Sequence, residues 1–104
     1  MTTMVFFFNR LHPNVDPADY EQWVRETDYP TARSLPAIES YEVVRLDGPL
    51  RDDEVPYDYL ELVHVTDLEE YRKSLDLLPN RDEFIAEIRS FVGEVTAVHG
   101  TLIE

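Results

Sequence analysis

YDYLELVHVTDLEEY, residues 57–71, changes its period part-way along. From Tyr57 to Val65 aromatic and β-branched residues dominate. Both alternating faces carry apolar side chains, Leu60 and Leu62 on one, Val63 and Val65 on the other, which predicts a strand covered on both sides. Asp67 then stands as a helix N-cap, with Glu70 three residues on completing a capping-box spacing. Leu68, Tyr71 and Leu75 line the apolar face of this helix until Pro79 stops it.

The same grammar runs outward in both directions. Met4–Leu11, "MVFFFNRL", is an aromatic-rich strand. Asp16 is an N-cap, Pro17 fits the first helical position and Asp19 puts a carboxylate near the positive end of the helix. Tyr20, Trp23, Val24 and Thr27 recur as one buried stripe. This helix is expected to lose regularity near Tyr29, because Pro30 biases the residue before it away from the α region. Ser40–Leu46 reads as the second strand, followed by the charged loop "DGPLRDDEVP". Beyond Pro79, Asn80 with Glu83 repeats the capping spacing. Phe84, Ile85, Ile88, Phe91 and Val92 form a buried helical face, Gly93 ends it, and Val95–Ile103 supplies the last strand.

The order is β-α-β-β-α-α-β, an α+β chain of the ferredoxin-like arrangement with a four-stranded antiparallel sheet, in one domain spanning residues 1–104. Helices cover only one face of such a sheet. The first strand is nonetheless apolar at Val5 and Phe7 as well as at Phe6 and Phe8. The second face therefore needs another cover, and a second copy of the same sheet is the simplest: a homodimer packed sheet to sheet.

Composition narrows the function classes. Nine basic and 22 acidic residues give a net charge of −13, a field that repels nucleic-acid phosphates and anionic membranes and leaves neutral or cationic small molecules as partners. The absence of cysteine removes disulfides and thiolate chemistry. No apolar run reaches membrane-spanning length, and "MTTMVFFFNR" lacks the basic region of a secretory leader, so a cytoplasmic location is expected. The three histidines, His12, His64 and His99, have no metal-ligand spacing, and no metal is expected. His12 reads as solvated. Phosphate-loop, nucleophile-elbow and dinucleotide motifs are absent as well.

The segment "YEQWVRETDYPTARSLPAIESYEV", residues 20–43, carries a resemblance. Asp28-Tyr29-Pro30, then Leu35-Pro36-Ala37, then Tyr41 fall in register with a His-x-Pro, a Leu-Pro turn and a strand tyrosine. That pattern resembles the RedY-like (HapK) family of the dimeric α+β barrel superfamily and, more distantly, EthD-like proteins. The likeness implies tailoring of indole- or pyrrole-derived intermediates of a prodiginine- or bisindole-like pathway, with no bound cofactor, in a cleft between sheet and helices. Aspartate stands where the relatives have histidine, so their chemistry does not transfer unchanged.

Several residues bear on such chemistry. Asp28, if burial raises its pKa, is a general base or acid; alternatively it caps the helix or bridges to Arg25 or Arg33. His99 alternates with Val95, Ala97 and Thr101 and is either a proton shuttle or a core histidine. Glu61, flanked by leucines, is assigned to the helix side, with His64 on the dimer face. It needs a partner: Arg45 or Arg10 in a structural role, or His99, whose imidazole it would orient. Arg10 binds a carboxylate, steadies Asp28 or makes a surface ion pair. Trp23, Phe8, Tyr29 and Tyr41, with Phe6 and Tyr20, offer an apolar wall for a planar ligand or serve as core.

The expectation is a cofactor-independent enzyme of cyclase, tautomerase or coupling type acting on an aromatic small molecule. Asp28, His99 and Glu61 would be catalytic; Tyr29, Arg10, Trp23, Phe8 and Tyr41 would bind substrate. The alternatives are a non-catalytic module that shields such an intermediate, and a cofactor-free monooxygenase.

Overall fold

The computed structural model describes all residues, Met1–Glu104. Its elements are β1 (Thr2–Leu11), α1 (Pro17–Trp23), a π-helical turn (Val24–Asp28), α2 (Tyr29–Arg33), β2 (Ile38–Arg45), β3 (Tyr59–Val65), α3 (Leu68–Ser74), a 3-10 turn (Leu75–Leu77), α4 (Arg81–Phe91) and β4 (Val92–Leu102). The four strands form one antiparallel sheet in the order β2-β3-β1-β4. This is the α+β ferredoxin-like arrangement that the element order predicts.

Register fixes the faces. Val5 lies opposite Val63 and His99, and Phe7 opposite Glu61 and Ala97, so these residues share one side of the sheet. That side carries the helices: Val5, Ala32, Tyr41, Val63 and Val65 form one core cluster with Leu68 and Tyr71 packed on it. Leu11, Tyr20, Val24 and Tyr59 form a second, backed by Trp23 and Phe91. Met4, Phe6, Phe8, Leu60, Leu62, Val44, Val98 and Leu102 lie on the other side, which no element of the chain covers. Val98 and Leu102 are 45% and 51% exposed there.

Asp16 caps α1 through the Ala18 amide at 2.9 Å, and Asp67 caps α3 through the Glu69 and Glu70 amides at 2.8 and 3.1 Å. The Glu70 carboxylate accepts from the Thr66 hydroxyl at 2.7 Å. The Asn80 side chain makes no capping bond, so the repeated spacing there is sequence pattern only.

The expected break at Tyr29 does not occur. Tyr29 stays in the right-handed helical region (φ −57°, ψ −52°), and the irregularity sits one turn earlier, where its amide reaches back to the Val24 carbonyl. The physical reason is the burial period. Tyr20, Val24, Asp28 and Ala32 are all buried at a spacing of four, whereas an α-helix of 3.6 residues per turn drifts by about 40° for every four residues. One wide turn takes up that drift and the missing N–H of Pro30, which would otherwise leave the Glu26 carbonyl facing the proline ring.

β2 is an edge strand, and its outward backbone groups are capped by side chains from the helix beside it. The Tyr29 hydroxyl accepts the Val43 N–H at 3.0 Å, and Arg33 donates to the Tyr41 carbonyl at 2.9 Å. Tyr29→Phe is therefore expected to cost about 1–2 kcal/mol in urea unfolding, by orphaning that amide, without altering ligand affinity.

Two further expectations change. Gly93 lies inside β4, because α4 passes into the strand without a loop at Val92. Its missing side chain has a local cause: a Cβ there would come within 2.9 Å of His12 Nδ1. His12 is not free in solvent; its Nε2 lies 2.9 Å from the Arg89 carbonyl. Gly93→Ala should push the ring off that carbonyl and lower stability by about 1–2 kcal/mol in chemical denaturation.

Candidate functional site

A cavity of about 270 Å³ lies between the helix-facing side of the sheet and the helices. Phe7, Tyr71, Phe84, Ile85, Ile88 and Val95 give it apolar walls, and Asn9, Asp28, Tyr41 and Glu61 form a polar pole. Each element delivers its residue for a local reason. Asn9 alternates with Val5 and Phe7 on β1 and is 3% exposed; Tyr41 and Glu61 face inward from β2 and β3; the π-turn ends on Asp28, which is 5% exposed.

The pole is a connected network. The Tyr41 hydroxyl lies 2.7 Å from Asp28 Oδ2 and 2.5 Å from Glu61 Oε1, and Asn9 Nδ2 donates to Glu61 Oε2. Burial pushes the Asp28 carboxyl up to about 7, against the lowering effect of its Tyr41 hydrogen bond; the nearby Glu61 carboxylate adds to the rise. Burial likewise raises Glu61, opposed by its bonds to Tyr41 and Asn9, and holds the Tyr41 hydroxyl well above its ordinary value. A carboxyl poised near neutrality beside an apolar chamber can take or give a proton at physiological pH.

The structural alternatives for the two acids are not realised. Asp28 makes no side-chain cap, and Arg33 instead pairs with Glu42 at 3.3 Å and lies 4.0 Å above the Tyr29 ring. Arg45 pairs with Glu21 and Asp47, and Arg10 with Glu94 at 3.7 Å and the Pro56 carbonyl at 2.6 Å, so neither serves Glu61. Glu61 does face the helices, and His64, on the opposite side, lies 2.9 Å from Glu39.

Of the expected site residues, Asp28, Glu61 and Tyr41 come together. His99 does not join them. β1 lies between β3 and β4, and the register sets Glu61 level with Ala97 through Phe7, leaving His99 exposed on the edge strand one pleat away. Arg10 and Phe8 point to the uncovered face, where Phe8 meets Tyr57 at 5.6 Å. Tyr29 caps β2. Trp23 stands behind the wall, its ring stacked on Phe84 at 5.8 Å and its Nε1 buried without a hydrogen-bond partner. Asn9, Phe7, Tyr71, Phe84 and Arg89 (the one cation on the lining) were not singled out from sequence. Asn9 carried a usable signal, since it interrupts an apolar alternation that is otherwise buried on that face.

The architecture and the enclosed acidic pole define a ferredoxin-like α+β protein with a chamber between sheet and helices. Residues 2–103 match the family described as REDY-like protein HapK, and the chain belongs to that family. Among solved structures it is similar to HapK from Hahella chejuensis, with 22% identity over 97% of this chain and 92% of that one and a TM-score of 0.79. It also resembles an EthD family protein from Bacillus halodurans, at 16% identity, 99% and 100% coverage and a TM-score of 0.74. A third likeness is to SnoaB, a cofactor-independent oxygenase from Streptomyces nogalater, at 19% identity, 99% and 93% coverage and a TM-score of 0.69. No curated protein sequence matches. No helix is long and apolar enough to cross a membrane.

Proposed function

We propose that this protein is a cofactor-independent enzyme of specialised metabolism that moves protons on a planar, conjugated indole- or pyrrole-derived intermediate. The observation that carries this reading is Asp28, raised to about 7 at the polar end of an otherwise apolar cavity. An apolar wall holds a flat ring system by burial and excludes water, and the carboxylate then abstracts an acidic C–H or N–H proton within hydrogen-bond reach. Arg89, on the lining, offers the developing anion a counter-charge. The family membership and the likeness to a cofactor-independent oxygenase support a small-molecule chamber of this kind.

The uncovered apolar face supports a homodimer, with a second copy of the sheet packed against Phe6, Phe8, Leu60 and Leu62.

The test uses 2-oxindole, a planar carbon acid with an exchangeable C3–H. In heavy water the wild type should speed deuterium exchange at C3 above the buffer rate, and Asp28→Asn should return it to the buffer rate. Equal rates in both proteins would overturn the assignment of Asp28. Dioxygen consumption during the assay would mark the oxygenase alternative, in which the same deprotonation precedes attack on oxygen.

A further inference from the structure

The Tyr41 hydroxyl has one proton and two carboxyl neighbours, Asp28 Oδ2 at 2.7 Å and Glu61 Oε1 at 2.5 Å. A phenol donates once. Two ionised carboxylates on one hydroxyl would leave one of the two oxygen–oxygen contacts without a proton and hold two negative charges close together in a buried site. Both contacts are satisfied when one carboxyl carries a proton and donates to the phenol oxygen while the phenol donates to the other. Asn9 occupies Glu61 Oε2 with an N–H donor, so any proton on Glu61 resides on Oε1, in line with Tyr41. The network thus has room for one extra proton, with Tyr41 as the only link between its two possible homes.

Both carboxyls open on the same cavity. We propose that Asp28 and Glu61 act as a single dyad sharing one proton through the Tyr41 hydroxyl, so that one acid takes a proton from the substrate while the other returns one at a second atom. The proposal rests on the reading of the cavity as a proton-transfer site and narrows it to isomerisation by proton relocation. The ionised carboxylate removes the proton of an acidic C–H, and the C–H electron pair moves into the conjugated system. The far end of that system, a carbonyl oxygen, an imine nitrogen or a vinylogous carbon, takes the proton of the second carboxyl. Substrate and product have the same composition, and no oxidant or reductant enters. The dyad is left reversed, and Tyr41 restores it by accepting a proton from one carboxyl while passing its own to the other. Asp28 and Glu61 are catalytic residues in this scheme, Tyr41 is the relay, and Asn9 is a positioning residue. The fitting substrates are flat, conjugated C–H acids with a proton acceptor at the other end of the π system.

The groups facing the dyad from the packed elements are few: Tyr20 from α1, Tyr71 from α3, the Asn9 amide from β1 and exposed Arg89 on α4. Burial raises the pKa of both Tyr20 and Tyr71, so neither supplies a competing charge near neutrality.

The experiment is a carbon-13 NMR titration of protein labelled at the Asp and Glu side-chain carboxyls, with Asp28 and Glu61 assigned by Asp28→Asn and Glu61→Gln. Sharing predicts two widely separated steps, each visible at both carbons, with one proton retained between them across neutral pH. In Tyr41→Phe, which keeps the ring but removes the link, the two steps should draw together, leaving only the through-space repulsion of the two carboxyls. Ionisation of both carboxyls in the ordinary range in the wild type would overturn the dyad, as would titration in Tyr41→Phe identical to the wild type. Catalysed 2-oxindole exchange with unlinked carboxyls would remove the dyad and leave Asp28 as a lone base. Linked carboxyls without exchange would remove the assigned reaction and leave the dyad standing.

Discussion

Asp28→Asn should yield a protein that is inactive and, at pH 8, more stable than the wild type. The activity loss follows from deleting the base, and positioned general bases contribute on the order of 10²–10⁴-fold. The stability gain follows from linkage. The folded-state pKa of Asp28 is raised from 3.8 to about 7 by burial. The fold therefore binds this proton more tightly than the unfolded chain does, and the stabilisation is complete only below about pH 4. It is lost as pH rises through 7, a decline of about 4 kcal/mol for a shift of this size. Asparagine has no charge to desolvate. At pH 8 the variant should gain about 2–4 kcal/mol over the wild type, less any weakening of the bond to Tyr41, and it should lack most of the decline between pH 4 and 7. Urea unfolding of both proteins across that range reads the difference. An Asp28→Asn profile that runs parallel to the wild type from pH 4 to 7 would contradict the burial of an ionisable Asp28. The prediction has the form of a stability–activity trade-off, since the residue that does the chemistry is held where the fold alone would not keep it.

Leu62→Asp should convert a dimer into a monomer while leaving the fold intact. Leu62 lies opposite Phe6 on β1 and Glu42 on β2, in the middle of the uncovered sheet face. If a second copy covers that face, its twofold symmetry places the new carboxylate at the interface twice. A buried charge without a partner costs about 3–5 kcal/mol, so the association constant should fall by on the order of 10³-fold or more. Analytical ultracentrifugation separates the two states, and circular dichroism checks that the sheet persists. A wild type that sediments as a monomer at high micromolar concentration would contradict the sheet-to-sheet assembly. Its exposed face would then need another partner.

Much of this architecture is legible in the residues themselves. Alternation on Met4–Leu11 and Tyr57–Val65, with the Asp16 and Asp67 caps, specifies the strands and helices, and their order specifies the layers. The same alternation puts Glu61 and His64 on opposite faces, and the run of Val63 and Val65 into the capped helix assigns Glu61 to the helix side. Tyr41 is legible because the resembled family carries a tyrosine there, and Asp28 because it takes the place of that family's histidine. The rest depends on information that local pattern lacks. His99 shares the correct side of the sheet with Glu61, and only the strand order, with β1 inserted between β3 and β4, parts them. Arg10 and Phe8 alternate with Phe6 and so share its open face, away from the cavity between sheet and helices. The π-turn leaves a trace in the spacing of four between Tyr20, Val24, Asp28 and Ala32, but that spacing gains meaning only once all four are known to be buried. Asn9 is marked in the sequence as the polar break in a buried alternation, but its partner, the Glu61 carboxylate, is given only by the pairing of β1 with β3.

An apolar chamber with Asp28 at its polar end should receive a flat heterocycle. Calorimetric titration of 2,2′-bipyrrole into the wild type, Asp28→Asn and Ile88→Trp tests it directly. Saturable binding at one site per protomer is expected, weaker in Asp28→Asn, where the pyrrole N–H loses its charged acceptor. Binding should vanish in Ile88→Trp, where the indole fills the cavity. Binding that is identical in all three proteins, or absent from the wild type up to millimolar concentration, would contradict it.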